Sequence, residues 1–559
     1  MTTIRARSFA FLGFLAVAAP GCGGSPPVSI APAPSAPPAL VHVQVLAFND
    51  FHGNLESPTG SNGKVGALQV GGAAYLAAHV RQLRAENPST VVVSAGDLTG
   101  ASPLLSSLLG DEPAVVVMNR IGLDFEGLGN HDFDHGLPAL VHLQKAATFQ
   151  YLAANVDVTA THKSVFPPYA IREFSGARVA FIGVTLEGTP DVTVLSAVEG
   201  LSFSNEAATV NALVPELRKQ RVSAIVLLIH QGATQDKGGT YDSCDGLSGD
   251  LLPILERLSP AVDVVVSGHT HQAYNCTIGG RLVTSAMSYG RLLTRIDLTI
   301  DPSLHRVTEK HARNVPVTHD LLPDPEVVRL VATYKEKAAP IAGRIVGYLK
   351  TDAVSSARLT KSPSCETSLG DLIADAQLAA TSEPSRGGAE IALMNPGGIR
   401  GDLLANGAGK QDSVVTFAEA FEVQPFNNQL VTMTLRGDQI RAVLEAQFVR
   451  TEPRILQISS GSSYRYTYDR AAKKGKLDAA SIRIHGAPLD PAKSYRVTVN
   501  SFLAAGGDGF AVLKEGTARV TGVADVEALT TYLGKTSSAL SPLDPERALG
   551  RVSGDGCAL

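Results

Sequence analysis

Five times in its first half this chain runs through a largely apolar stretch and stops at a cluster of Asp, Asn or His fenced by glycine. VHVQVLAF (41–48) leads into NDFHG, and VVVSA (91–95) into GDLTG. LDFEGL (123–128) leads into GNHDFDHG, AIVLLI (224–229) into HQG, and VDVVVS (262–267) into GHTHQ. Short, largely apolar runs of this kind predict strands, several of them buried on both faces. Helical patterns at 71–86, 206–220 and 248–258 separate several of them. Alternating strands and helices predict a layered α/β domain. Such folds place ligands beyond the strand C-termini. A lone His after a strand is ordinarily a surface or hydrogen-bonded residue. Five repeats of the same placement predict one convergent site built from Asp50, His52, Asp97, Asn130, His131, Asp134, His230, His269 and His271.

Carboxylate, imidazole and amide oxygen together suit a pair of hard-to-borderline divalent cations. No thiolate accompanies them, which excludes a structural zinc knot. Two adjacent cations clamp the attacking and leaving oxygens of an in-line displacement. Mixed oxygen and nitrogen donors favour manganese, zinc, cobalt or iron over magnesium. The formal net charge of −5 and the lack of a broad basic tract argue against a nucleic-acid groove.

The series Asp50-x-His52, Gly96-Asp97, Gly129-Asn130-His131-Asp132, His230 and Gly268-His269-x-His271 resembles the calcineurin-like metallophosphoesterase signature. The wording FNDFHGNLE, GNHDFDHG and SGHTHQ is similar to the exported bacterial 5′-nucleotidase family, which includes UDP-sugar hydrolases and 2′,3′-cyclic-nucleotide phosphodiesterases. The similarity runs over about residues 41–548. It implies a metallophosphoesterase β-sandwich flanked by helices and a second, α+β substrate-binding domain. It also implies that Asp50, His52 and His271 hold one metal, that Asn130, His230 and His269 hold the other, and that Asp97 bridges both. His131 would then face the phosphate and stabilise the transferring group or its leaving oxygen, with Asp134 orienting it. Asp132 has no direct role on this reading.

The first 22 residues, MTTIRARSFAFLGFLAVAAPGC, carry two arginines before an apolar run too short to span a bilayer. This predicts an export signal over 1–21. Gly21-Cys22 resembles a bacterial lipobox, so lipidation of Cys22 would be the only attachment to a membrane. Residues 22–40, rich in Pro and Ala, read as a tether. Localisation is then the periplasm or cell envelope. Of the other four cysteines, Cys244 and Cys276 close the shortest loop and are predicted to pair. Cys365 and Cys557 would then be a second pair.

The metal domain is predicted over 41–324, with 303–324 polar and irregular. A helix at 325–343, broken by Pro340, would join the domains. A nucleotide-binding domain follows at 344–552, and 553–559 is a tail. In the second domain, NPGGIR offers Asn395 and Arg400 on a glycine turn, and an arginine fork suits phosphate or ribose oxygens. PFNN offers Phe426 and Asn428. NSFLAAGGDGF offers Phe502 and Asp508. Taken singly, each phenylalanine is ordinarily core filler. The resemblance implies that the two rings sandwich the base, that Asp508 takes the ribose, and that Asn395, Arg400 and Asn428 make further substrate contacts. It also implies an additional arginine before the helix that opens this domain. Here that stretch reads SPSCETSLG, leaving Arg358 or Lys361 as replacements. Arg436 reads as a surface residue.

The activity implied is hydrolysis of nucleoside 5′-monophosphates to nucleoside and phosphate. Hydrolysis of UDP-sugars, nucleoside polyphosphates or 2′,3′-cyclic nucleotides is the alternative within the enzyme class. A nucleotide-binding protein without catalysis and a sulfur-oxidation hydrolase are the alternatives outside it.

Overall fold

A computed structural model of the chain describes residues 39–58, 63–193, 197–235, 239–355, 364–405, 413–426, 428–449, 453–469 and 471–555. The expected signal, Cys22 and its tether, Arg358, Lys361 and Cys557 lie outside the described residues. No helix among the described residues is long and apolar enough to cross a membrane.

The first half is two six-stranded sheets packed face to face. Its strands are β1 (Val41–Phe48), β2 (Thr90–Ser94), β3 (Phe125–Gly127), β4 (Gln150–Leu152), β5 (Tyr169–Phe174), β6 (Ala177–Thr185), β7 (Ala224–His230), β8 (Val264–Ser267), β9 (Ala273–Ile278), β10 (Arg281–Ala286), β11 (Leu292–Asp301) and β12 (Arg306–Pro316). One sheet has the order β12-β11-β1-β2-β3-β4 and the other β9-β10-β8-β7-β6-β5. The runs β1-β2-β3-β4 and β6-β7-β8 are parallel. The period of two sends Val43, Val45 and Ala47 of β1, with Val226 and Leu228 of β7, into the core between the sheets. The alternate residues Leu46 and Phe48 meet helices α1 (Ala73–Glu86) and α2 (Glu112–Ile121) on one outer face. Ile225, Leu227 and Ile229 meet α3 (Glu206–Lys219) and α4 (Leu251–Arg257) on the other. Both faces of the central strands are therefore largely dry, which is why those segments read as largely apolar runs.

Two expectations are corrected here. The polar segment after 303 is not irregular: Arg306–Pro316 is a strand, paired antiparallel with β11 at the sheet edge. Its residues are mostly exposed or half-buried, so it lacks the apolar signal, and charged side chains suit an edge that must not recruit another chain. Helix α5 (Pro325–Ala342) is not broken at Pro340. The proline falls in the last turn, where little helix remains to disrupt. Asp324 caps α5 by accepting from the Glu326 and Val327 amides. Val327 and Ala338 are buried in the outer core of the first half, so this helix packs as part of that half.

The second half is built on a five-stranded mixed sheet. Its strands are β13 (Ile391–Met394), β14 (Gln429–Arg436), β15 (Gln457–Ile458), β16 (Ser494–Asn500) and β17 (Thr517–Ala524), in the order β15-β13-β16-β14-β17. Helix α6 (Ser368–Thr381) is capped by Thr367, whose hydroxyl accepts from the Gly370 amide. Glu366, just outside it, accepts instead from the amides of Gly550, Arg551 and Val552, tying down the end of the chain. Strand β13 stops at Met394. Pro396–Gly398 then forms a tight turn that swings Asn395 and Arg400 toward the first half.

The Cys244–Cys276 disulfide is present, with 5.1 Å between Cα atoms. Arg436 is exposed and pairs with Asp438.

Candidate active site

The polar clusters follow the C-terminal ends of β1, β2 and β3 in one sheet and of β7 and β8 in the other, so they meet along one edge of the sandwich. Asp50, His52, Asp97, His269 and His271 all have φ between 48° and 71°. This left-handed region is uncommon for residues other than glycine and typically costs about 1–3 kcal/mol each. The turns are held there by the surroundings. Asp50 and His52 donate their amides to the carbonyls of Gly96 and Asp97. The His269 amide is 3.0 Å from Asp50 Oδ2. The approach is so close that a Cβ on Gly129 would lie 2.1 Å from Asp97 Oδ1 and 2.5 Å from the Asp97 amide nitrogen. Glycine is required there.

His230 Nδ1 is 2.8 Å from the Ala95 carbonyl, and His52 Nδ1 is 2.8 Å from that of Gly100. A carbonyl only accepts, so both Nδ1 atoms carry hydrogen, and the neutral ring then presents a lone pair at Nε2. Those lone pairs face carboxylates. His230 Nε2 is 3.0 Å from Asp97 Oδ2 yet makes no hydrogen bond. His52 Nε2 is 3.6 Å from Asp97 Oδ2 and 3.1 Å from His271 Nε2, and His271 Nε2 is 3.3 Å from Asp50 Oδ1. Buried acceptors pointed at one another need a cation between them. Two groups, Asp50 with His52 and His271, and Asp50 with Asp97 and His230, have donor atoms within 4.8 Å of one another. Asn130 Oδ1 and His269 Nδ1 lie 3.0 Å apart beside them. The donor set fits divalent metal ions, and the carbonyl-fixed imidazoles are the outer support such ligands ordinarily have.

The electrostatics agree. Burial works against charge on Asp97, but His230 and His131 hold its carboxyl well below the usual range. Asp50 is likewise brought down to about 2, chiefly by His271 against the effect of burial. Burial also opposes a proton on His230, but Asp97 raises its pKa to about 9, so without a metal ion its Nε2 carries a proton towards Asp97, in the place a cation would take. Burial and the charge of His230 push His269 down to about 3, and burial holds His52 well below its ordinary value. A metal ion and a proton compete for such nitrogens.

His131 stands beside this cluster. Its amide donates to Asp97 Oδ1 at 2.8 Å, and its Nδ1 is 2.9 Å from Asp134 Oδ2. Asp134 is fixed by the Thr193 hydroxyl at 2.9 Å and the Ala101 amide at 3.2 Å. Burial opposes protonation of His131, but Asp134 and then Asp97 raise its pKa. Three supports were not singled out from the sequence. Asp132 accepts from the amides of Asp97, Thr99 and Gly129 and from the Thr99 hydroxyl, so it braces the turn carrying Asp97. Asn49 donates to Asp50 Oδ2 and to the Met287 carbonyl. Thr193 lies 59 residues from the Asp134 that it holds.

The second half supplies the opposite wall. One cleft of about 790 Å³, including its open mouth, is lined by Asp97, Asn130, His131, Asp134, His269 and His271 on one side. Asn395, Arg400, Phe426, Asn428, Phe502 and Asp508 line the other. Arg400 Nη2 comes within 3.3 Å of His52 Nε2. The Phe426 ring stacks on His131 with centroids 5.4 Å apart. Phe502 lies against Gly507, where a Cβ would be 2.5 Å from its ring. Asn395 donates to Asp508 at 2.7 Å and accepts from Asn500 at 3.0 Å, and Asn428 accepts from the Ser501 hydroxyl.

Residues 43–273 match the model of the calcineurin-like phosphoesterase family, and residues 345–515 match that of the 5′-nucleotidase C-terminal domain. The chain belongs to the 5′-nucleotidase family. It is 30% identical over 519 residues to the endonuclease YhcR of Bacillus subtilis, covering 89% of this chain but only 40% of that protein. It is 26% identical to a 5′-nucleotidase of Vibrio cholerae, covering 90% of this chain and 91% of the relative. Among solved structures, a 5′-nucleotidase precursor from Thermus thermophilus superposes with a TM-score of 0.75 at 28% identity, over 93% of this chain and all of the other. A metallophosphoesterase fold with these relatives makes the chain a phosphoric monoester hydrolase, and the fold implies divalent metal ions at this site.

Proposed function

We propose that this member of the family hydrolyses nucleoside 5′-monophosphates to nucleoside and phosphate, outside the cytoplasm. Asp50, His52 and His271 would hold one cation, Asn130, His230 and His269 a second, and Asp97 would bridge them. Two divalent ions there, manganese, zinc, cobalt or iron, supply positive charge against the phosphoryl oxygens and activate a water. The chain's residues do the rest. Arg400, reaching within 3.3 Å of His52, grips the phosphate. Asp134 keeps hydrogen on Nδ1 of His131. The imidazolium gives its Nε2 proton to the ribose oxygen as the phosphorus–oxygen bond breaks. Asp508 and Asn395 take the ribose hydroxyls, Asn428 makes a further contact, and Phe426 and Phe502 flank the base. The wall of the second half shields this chemistry from bulk water.

The observation that carries the reading is the position of His131. It bonds to both Asp97 and Asp134 at the floor of a cleft whose far wall holds Phe502 and Asp508. The test is a substrate panel, with each metal added in turn, of nucleoside monophosphates, UDP-glucose, ATP, 2′,3′-cyclic AMP and a thiosulfonate ester. The reading requires the monophosphates to be turned over fastest. His131→Ala should abolish turnover and leave metal content near normal. Preference for a diphosphate sugar or cyclic ester would replace the substrate assignment, and metal-loaded chain that hydrolyses nothing would replace the reading altogether. Export and lipid on Cys22 belong to the same proposal. Radiolabelled palmitate should enter the wild-type chain and not Cys22→Ala.

A further inference from the structure

Arg454 lies in PRILQ, outside every strand and helix, and was not among the residues singled out from the sequence. Its backbone is pinned. The Arg454 amide donates to the Gln447 carbonyl at 2.9 Å, and the Leu456 amide to Gln447 Oε1. Ile455 and Leu456 are buried, and Gln457 pairs with Met394, the residue before Asn395. This anchoring sets the Arg454 side chain into the wall of the cleft that also holds Asn395, Asn500, Phe502 and Asp508. Its Nε is shut off from solvent and has no hydrogen-bond partner, and among the described residues its guanidinium forms no ion pair. Buried N–H groups of this kind are ordinarily satisfied, so each exception needs an explanation. None of its neighbours supplies one here: Asn395 bonds to Asp508 and Asn500, and Asn428 to Ser501.

We infer that Arg454 reads the edge of the nucleotide base and makes 6-oxopurine 5′-monophosphates the preferred substrates. This rests on the nucleotidase reading above. With the phosphate at Arg400 and His131 and the ribose at Asp508, the part of the substrate that continues past Phe502 is the base. A guanidinium offers only donors, in a planar fork. Guanine and hypoxanthine present two acceptors, O6 and N7, which that fork matches in bidentate fashion. Adenine replaces O6 with a donor amine. A bidentate match of this type discriminates by about 10- to 100-fold.

The test is kcat/KM of the full chain, metal-loaded, on GMP, IMP, AMP and adenosine 3′,5′-bisphosphate, for wild type, Arg454→Met and Arg454→Lys. The wild type should favour GMP and IMP over AMP by about 10- to 100-fold. Arg454→Met should bring that ratio close to 1, with the loss falling on KM, and Arg454→Lys should restore it only in part. Thermal melting of each variant checks that it is folded. A wild type that treats AMP and GMP alike overturns the inference while leaving the nucleotidase reading intact. So does a ratio unmoved by Arg454→Met, or a preference for the bisphosphate that the variant removes, which would assign Arg454 to a phosphate. Failure to hydrolyse any nucleotide overturns the underlying reading instead.

Discussion

Replacing Asp134 with Asn tests the division of labour at the heart of the site. The carboxylate holds His131 Nδ1 at 2.9 Å and is itself fixed by Thr193 and Ala101. The amide is nearly isosteric, so the turn should survive and the metal ligands should keep their places. The charge-assisted bond to the imidazolium is lost, and bonds of that kind are worth about 1.5–3 kcal/mol. If His131 needs that support while it protonates the leaving oxygen, kcat should fall about 10- to 150-fold on a nucleoside monophosphate. The loss should be much smaller on p-nitrophenyl phosphate, whose leaving group departs as a stable anion. The pH profile gives a second readout. On the proposed role His131 acts protonated, so the rate should fall as pH rises through its pKa. Asp134 raises that pKa, and its neutralisation should therefore move the alkaline limb to lower pH. Equal losses on both substrates with an unmoved limb would refute the role of His131 as proton donor.

Three further outcomes follow from the geometry. Gly129→Ala would set a methyl group 2.1 Å from Asp97 Oδ1, so metal retention after dialysis, read by mass spectrometry, should drop along with activity even where the chain stays folded. Burial raises the carboxyl of Asp525, beside Asn428, to about 7 from 3.8. A raised acid contributes stability that is complete below the unfolded pKa and lost as pH climbs through the folded one, so Asp525→Asn should gain up to about 4 kcal/mol over wild type at pH 8 and little at pH 4, measured by urea unfolding. Reduction of Cys244–Cys276, which are 32 residues apart, should lower stability by about 3–4 kcal/mol on the loop-entropy model, and the Cys244→Ser, Cys276→Ser double variant should match the reduced wild type.

The layered first half was legible because its central strands are dry on both faces, and a run such as AIVLLIH admits few other structures. The polar clusters were legible for the related reason that each closes such a run. Strand Arg306–Pro316 was not, since an edge strand with polar residues needs no apolar pattern. Nor were the supports of the site. Asp132 sits inside the motif, but its work is to accept backbone amides of Asp97 and Thr99, more than 30 residues away. Thr193 holds Asp134 from 59 residues away, and Asn49, next to Asp50, is set by the Met287 carbonyl 238 residues on; a single sequence carries no mark of such pairings. Glu366 stands just before a helix, where an acid ordinarily serves the helix start, yet it ties down residues 550–552. Arg454 belongs with these, since nothing in PRILQ distinguishes it from a surface arginine until Gln447 and β15 turn it into the cleft.

Two cations sharing Asp97 are the centre of the proposed chemistry. The direct measurement is metal stoichiometry by plasma mass spectrometry on chain reloaded with manganese or zinc and passed through a desalting column, with phosphate release from a nucleoside monophosphate assayed on the same sample. Two ions per wild-type chain are expected, fewer than two for Asp97→Asn, and activity that follows the second ion. Full activity with one ion or none would contradict it.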